Sequence, residues 1–196
     1  FEHLFRFKPE LIATDLHPDY LSSQFAQKLS ENHQIPIVKI QHHHAHIASA
    51  MAAHHLDEDV IGVSFDGIGL GTDYHVWGAE FMVANLDEFK RLYHFDYIPL
   101  PGGDKSSKET WRMAISYLYK AFGENFTNLD LPVLNAIESS KVQNIIRMIQ
   151  KNINTPLASS AGRLFDAVAS IIGVCHFNSF QAEAPMRLES IINEEI

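Results

Sequence analysis

A single cysteine, Cys175, stands among the 196 residues, so no internal disulfide framework is available and a reducing compartment is expected. Its apolar setting, IIGVCHF, marks it as a core residue. No apolar run approaches the roughly 20 residues of a membrane span, and no signal-peptide pattern opens the chain. Positive charge is also scarce. Fifteen lysines and arginines face 24 acidic residues, and the net charge of −9 excludes a general nucleic-acid binder, because nothing would neutralise a phosphate backbone. Internal repeats and low-complexity linkers are missing apart from one histidine cluster. What remains, with 46% apolar and 20% charged residues, is the composition expected of a cytoplasmic globular protein with one sizeable core. The chain opens on Phe1 and closes inside a helix-like run, RLESIINEEI, so a piece of a longer protein is expected.

The apolar patterning predicts an α/β fold. A short strand at Leu11–Thr14, a helix from Pro18 to Glu31, a strand at Ile35–Ile40 and a helix-forming run, AHIASAMAAHHL, alternate as parallel β–α units do. Pro18 suits a first helical turn. VIGVSFDG, VWGAEFMVANL and FKRLYHFDYIPL follow as three strand-like runs with short connections, which predicts an antiparallel meander. The second half, from about residue 101 to 196, reads as mainly helical: Ser106–Phe122, Lys141–Asn152, Ser159–Gly173 and Glu183–Glu195. TNLDLPVLN between them is a loop or a short turn of helix.

Six histidines crowd into VKIQHHHAHIASAMAAHH. On a helix, His42 and His46 lie four apart on one face, close enough to chelate one metal. A helix N-terminus disfavours imidazolium and keeps both rings neutral, and neutral imidazole suits zinc, iron or copper. An exposed histidine-rich helix start with no ligand would show the same spacing, and a helical pair supplies only two ligands. Asp66 is the candidate third, because it follows the buried apolar run VIGVSF and opens the glycine-rich DGIGLGTD. Gly67, Gly69 and Gly71 let the backbone approach an anion closely; a glycine-rich hairpin turn explains them equally well.

Two further stretches fit an anion. In PLPGGDKSSKETWRM, Gly102 and Gly103 permit a tight path, Ser106 and Glu109 have capping-box spacing, and Lys105 offers a counter-charge next to Asp104. In LASSAGRLFDAVASIIG, Ser159 or Ser160 caps a helix and Arg163 falls in its first turn. A cation there is disfavoured by roughly 0.3–1 kcal/mol, so either Asp166 or a bound anion should compensate.

The order of these pieces is more specific than any one of them. DLHPDYLSS, QHHHAHIAS, SFDGIGLGTD, VWGAEF, IPLPGGDK, TWRMA and SSAGRLFDAVA together resemble the C-terminal, TsaD-like domain of HypF carbamoyltransferases, over about Leu11 to Glu189. The resemblance implies an actin-like ATPase fold of the ribonuclease-H type, with residues 1–196 forming a partial TsaD-like domain that lacks its start and its last part. It implies that His42, His46 and Asp66 bind iron or zinc, and that an NDGG-type aspartate beyond this chain completes the site. It further implies that the DGIGLG turn, the PGGD loop and the SSAGR segment lie around an adenylate. That assigns Gly67, Gly69, Gly102, Gly103, Asp104, Lys105, Ser160 and Arg163 to nucleotide binding. The activity implied is transfer of a carbamoyl group from carbamoyl-adenylate, made from carbamoyl phosphate and ATP, to the C-terminal cysteine of a HypE-like acceptor in [NiFe]-hydrogenase maturation. The thiolate belongs to the acceptor, so Cys175 is not expected to take part, no catalytic side chain is singled out, and this stretch alone is not expected to run the whole reaction.

The chain departs from the family at FQAEAPMRLE, where a YEGQAAMELE-like segment is usual, so that Gln181 and Glu183 stand in exchanged positions. Two other readings therefore remain: an O-carbamoyltransferase acting on a small hydroxylated metabolite, and a non-catalytic metal- or nucleotide-binding module.

Overall fold

In the computed structural model, which describes residues 2–192, a helical turn at Glu2–Phe5 (α1) leads into two β–α units. Ile12–Asp15 (β1) and Ile37–Ile40 (β2) pair in parallel, with Asp15 opposite Ile40 at their carboxyl ends. Leu21–His33 (α2) crosses between them and His42–Ala53 (α3) follows β2. The expected β-α-β-α order is present, but both helices start elsewhere than expected. The His17 N–H donates to Asp15 Oδ1 (2.8 Å) and the Asp19 N–H to His17 Nδ1 (3.1 Å). These bonds hold DLHPDY as a loop, so Pro18 precedes the helix instead of entering it. α3 begins at His42, ahead of the AHIAS run, because Gln41 caps it: the side-chain oxygen accepts from the His44 N–H at 2.9 Å.

Val60–Leu70 (β3), Val76–Ala84 (β4) and Phe89–His94 (β5) form the expected antiparallel meander. The third run stops short of Leu100. Ile98–Pro99 (β6) leaves it and pairs antiparallel with Leu157–Ala158 (β7), which itself lies parallel to β4 at Val76. Two-residue strands carry no periodic signal, so neither was visible beforehand. β3 also continues past Phe65. Residues 66–68 bulge out opposite Gly78 alone, and pairing resumes at Gly69 opposite Trp77.

The second half is helical: Lys105–Lys108 (α4), Trp111–Phe122 (α5), a 3-10 turn at Gly123–Asn128, Pro132–Ala136 (α6), Ser139–Gln150 (α7), Ala161–Ile171 (α8) and Glu183–Ser190 (α9). The helix expected from Ser106 is broken in two, and its capping box does not form. Ser106 Oγ donates to the Pro101 carbonyl (2.9 Å), and Glu109 turns to Arg112 (2.5 Å). Thr110, at the break, donates to the Cys175 carbonyl (2.7 Å). α9 ends at Ser190, short of the expected Glu195; residues 193–195 lie outside the described residues.

One core gathers Trp111, Ile115 and Leu118 of α5 against Phe126, Val133 and Ile145. A second sets Ile47 and Met51 of α3 on Trp77 and Met82 of β4. Each such side chain contributes roughly 1.5–3 kcal/mol of burial, enough to fix α3 against the sheet. Cys175 is buried beside Ala169 and Ala184, as expected of a core residue. Among the described residues, no helix is long and apolar enough to cross a membrane.

Candidate metal centre

The start of α3 and the bulge of β3 meet at one point. His42 Nε2 stands 3.0 Å from Asp66 Oδ2 and 3.2 Å from His46 Nε2, and His46 Nε2 stands 3.6 Å from the same oxygen. The bulge turns the Asp66 side chain toward the helix, so this residue sits within a strand and not at its end as expected. Asp66 Oδ1 accepts from the Gly67 N–H (2.5 Å), while Oδ2 is buried and has no hydrogen-bond partner.

Two imidazole nitrogens and a carboxylate oxygen thus converge with nothing between them. On the other side of the His42 ring, Nδ1 lies 2.7 Å from Asp15 Oδ2. A carboxylate only accepts, so Nδ1 carries the proton and the neutral ring presents a lone pair at Nε2. His42 Nε2 and Asp66 Oδ2 are electron-rich, and with His46 in its Nδ1–H tautomer the three atoms together suit a cation. Ligands about 2.0–2.2 Å from one tetrahedral ion stand roughly 3.3–3.6 Å apart, close to the separations found here. The residues therefore fit a zinc- or iron-type ion, with further ligand positions left for other groups.

His43 and His44 are structural, while His54 and His55 lie exposed at the far end of α3. His43 is fully buried against Trp77; burial lowers its pKa to about 4 and keeps it neutral, and Gln41 Nε2 donates to its Nδ1 (3.1 Å). His44 Nε2 donates to the Asn85 carbonyl (2.8 Å).

Seven of the eight expected nucleotide residues divide into two groups, with Gly69 apart from both. Gly67, Ser160 and Arg163 come together directly behind Asp66: Ser160 Oγ donates to the Gly67 carbonyl (2.7 Å) and accepts from the Arg163 N–H (3.0 Å), which caps α8. Arg163 Nε lies 3.1 Å from Asp166 Oδ2, so the acidic partner considered from sequence is in place. Arg163 Nη1 is nevertheless buried without a hydrogen-bond partner. Burial raises the Asp166 pKa, against the opposing pull of Arg163 and of Asn178. Gly69 lies close against the histidines: a Cβ there would stand 2.5 Å from His43 Cε1 and 3.1 Å from His42 Cβ.

The second group is the PGGD loop. Gly102 and Gly103 adopt positive φ (92° and 57°), and the Gly102 N–H donates to the Asn154 carbonyl (2.8 Å). Asp104 and Lys105 are exposed at the start of α4, a single turn whose dipole is correspondingly small. Tyr20 stacks on His17 in the DLHPDY loop, with ring centroids 4.4 Å apart. Burial raises its phenol pKa, and the charges of Asp15, Asp66 and Asp104 push it the same way.

Sequence reasoning missed Asp15 and Gln41. The DLHPDY motif carried Asp15, but the pairing of β1 with β2 was needed to bring it to the start of α3. In the departing segment Gln181 is exposed. Glu183 is buried and structural: its Oε2 accepts from the Ser179 N–H (2.5 Å) and hydroxyl (2.7 Å), and Oε1 pairs with Arg187.

The family description "Carbamoyltransferase, Kae1-like Domain, second subdomain" matches residues 62–196, and "HypF Kae1-like domain" matches residues 1–53. Carbamoyltransferase HypF2 of Cupriavidus necator is 38% identical, over 97% of this chain and 23% of its own length. A carbamoyltransferase HypF homolog of the same organism is 40% identical, over 93% of this chain and 46% of its own. The crystal structure of full-length HypF in the phosphate- and nucleotide-bound form superimposes with a TM-score of 0.89 at 43% identity, covering 98% of this chain and 29% of that one. This chain therefore spans between 23% and 46% of the length of these relatives. The likeness extends through the mixed sheet and the helical half, so the mixed α/β fold is that of HypF Kae1-like domains, consistent with the expected ribonuclease-H-like type.

Proposed function

Because the chain belongs to the Kae1-like domain family of HypF carbamoyltransferases, we propose that it carries the carbamoyl-transfer centre of such an enzyme. The reaction is transfer of a carbamoyl group from carbamoyl-adenylate, formed from carbamoyl phosphate and ATP, to the C-terminal cysteine of a HypE-like acceptor. The observation that carries this reading is the convergence of His42 Nε2, His46 Nε2 and the unpartnered Asp66 Oδ2 beside the Ser160–Arg163 helix start.

His42, His46 and Asp66 would hold a divalent cation, iron or zinc, which would supply Lewis-acid chemistry to an oxygen of the mixed anhydride. The chain's own groups do the rest. Arg163, with Nη1 buried and unpaired, offers its charge to the adenylate phosphate, while Ser160 and Gly67 hold the bulge and helix start in register beside it. Gly102, Gly103, Asp104 and Lys105 form the rim that carries the remainder of the nucleotide. The attacking thiolate comes from the acceptor, and buried Cys175 takes no part.

The test is a His42→Ala/His46→Ala double variant of the full-length protein. Carbamoylation of the acceptor cysteine falls to background, while formation of carbamoyl-adenylate continues. Transfer at the wild-type rate would overturn the reading. Transfer to a hydroxylated small metabolite in place of the protein thiol would favour the O-carbamoyltransferase alternative.

A further inference from the structure

We propose that Asp15 is the positioning residue of this centre: its carboxylate locks His42 in the Nδ1–H tautomer and so aims the Nε2 lone pair at the cation. The inference rests on the reading of His42, His46 and Asp66 as ligands.

The backbone sets up the contact. Asp15 ends β1 directly opposite Ile40, the last residue of β2, and α3 starts two residues beyond Ile40. The parallel pairing therefore delivers a carboxylate from one strand end to the first residue of the helix after the other. The two residues lie 27 apart in sequence, so no local motif predicts the pair.

The two carboxylate oxygens of Asp15 have separate tasks. Oδ1 accepts from the His17 N–H (2.8 Å), which fixes the side-chain rotamer, and Oδ2 is left for His42 Nδ1 at 2.7 Å. The Asp15 side chain is only 15% exposed, so water competes weakly for it. His46 has no such partner among its hydrogen bonds and is 57% exposed, which makes His42 the anchored ligand and His46 the adaptable one. A carboxylate behind a ligating imidazole orients the ring and raises its basicity.

Asp15→Asn is nearly isosteric but can turn an amide N–H toward Nδ1. The ring then favours Nε2–H, and the proton occupies the lone pair that would bind metal. In the full-length protein, Zn2+ affinity measured against a competing chelator should fall roughly 10–100-fold in Asp15→Asn. The His46→Ala variant should fall as well. Loss in His46→Ala with unchanged affinity in Asp15→Asn would overturn the role of Asp15 and leave the ligand set standing. Unchanged affinity in both would overturn the ligand reading itself. A second measurement needs no variant: 15N spectra of histidine-labelled, zinc-loaded wild-type protein should show His42 with a protonated Nδ1 and a metal-bound Nε2. Ligation through Nδ1, or a protonated Nε2, would overturn the proposal whether or not Asp15→Asn folds.

Discussion

Gly78 lies directly beneath the bulge that carries Asp66: a Cβ at this position would stand 2.6 Å from the Asp66 carbonyl oxygen and 3.0 Å from Ser160 Cα. Both neighbours are backbone, so neither can swing aside. Gly78→Ala should displace the bulge from its place between β4 and α8 and cost about 1–3 kcal/mol, as overpacking does. Zinc affinity should fall with it, because Asp66 no longer meets both histidines. Urea unfolding and a chelator titration read the two effects; a variant that keeps both stability and affinity would show that the bulge tolerates displacement.

Arg91 is the only cation bonded to the fully buried Glu80 among the described residues, with Nε 2.5 Å from Oε2. Its guanidinium also lies 3.9 Å over the Trp77 ring, and Nη1 donates to the Tyr97 hydroxyl (2.9 Å). Glu80 Oε1 meanwhile accepts from Ser159 Oγ at 2.6 Å, next to the residue that caps α8. Arg91→Ala strands a buried carboxylate and should destabilise the fold by about 3–5 kcal/mol. Arg91→Lys keeps the charge but not the fork and should recover only part of it. Chemical denaturation of the two variants checks the order; equal stabilities would mean that stacking on Trp77, and not the ion pair, matters.

Much of this was legible in the sequence because it repeats with a period. Alternation in the VWGAEFMVANL run and the i, i+4 spacing of His42 and His46 gave the meander and one face of α3. Missed features depend on single contacts without a period. The bulge at residues 66–68 needs Gly78 on the neighbouring strand, and the early start of α3 needs Gln41, a residue outside the usual capping set. β6 and β7 are two residues each and exist only because they find each other. The Ser106–Glu109 spacing was misleading for a related reason: the Pro101 carbonyl and Arg112 outcompete the capping partners for both side chains.

Gln41 deserves a variant of its own because one side chain serves three groups. Its oxygen accepts from the His44 N–H, and its nitrogen donates to His43 Nδ1 (3.1 Å) and to the Leu70 carbonyl (3.2 Å). Gln41→Ala removes the cap, at about 0.5–2 kcal/mol, and frees the first turn of α3 from the end of β3. The melting temperature should drop, and zinc affinity should drop less than in Asp15→Asn, since the Asp15–His42 bond survives. A larger loss of affinity than in Asp15→Asn would make the cap, not the carboxylate, the main support of His42.

Asp73, in the turn between β3 and β4, supplies an acid-sensitive element of the sheet. Burial alone would push its pKa up. Hydrogen bonds from the Tyr97 hydroxyl (2.5 Å), the His75 N–H (3.1 Å) and Trp77 Nε1 (2.8 Å), with the Arg91 charge, outweigh that and hold it below the ordinary carboxylate value. The folded state therefore binds this proton less readily than the unfolded chain. The resulting stability is fully present above about pH 4 and is lost as pH falls through the depressed value. Tyr97→Phe removes the largest of the bonds that lower the pKa. Its stability should lie below wild type at pH 7, and the difference should shrink as both are titrated below about pH 4. Parallel urea melts across that range measure it; a gap that stays constant with pH would assign the effect of Tyr97 to packing alone.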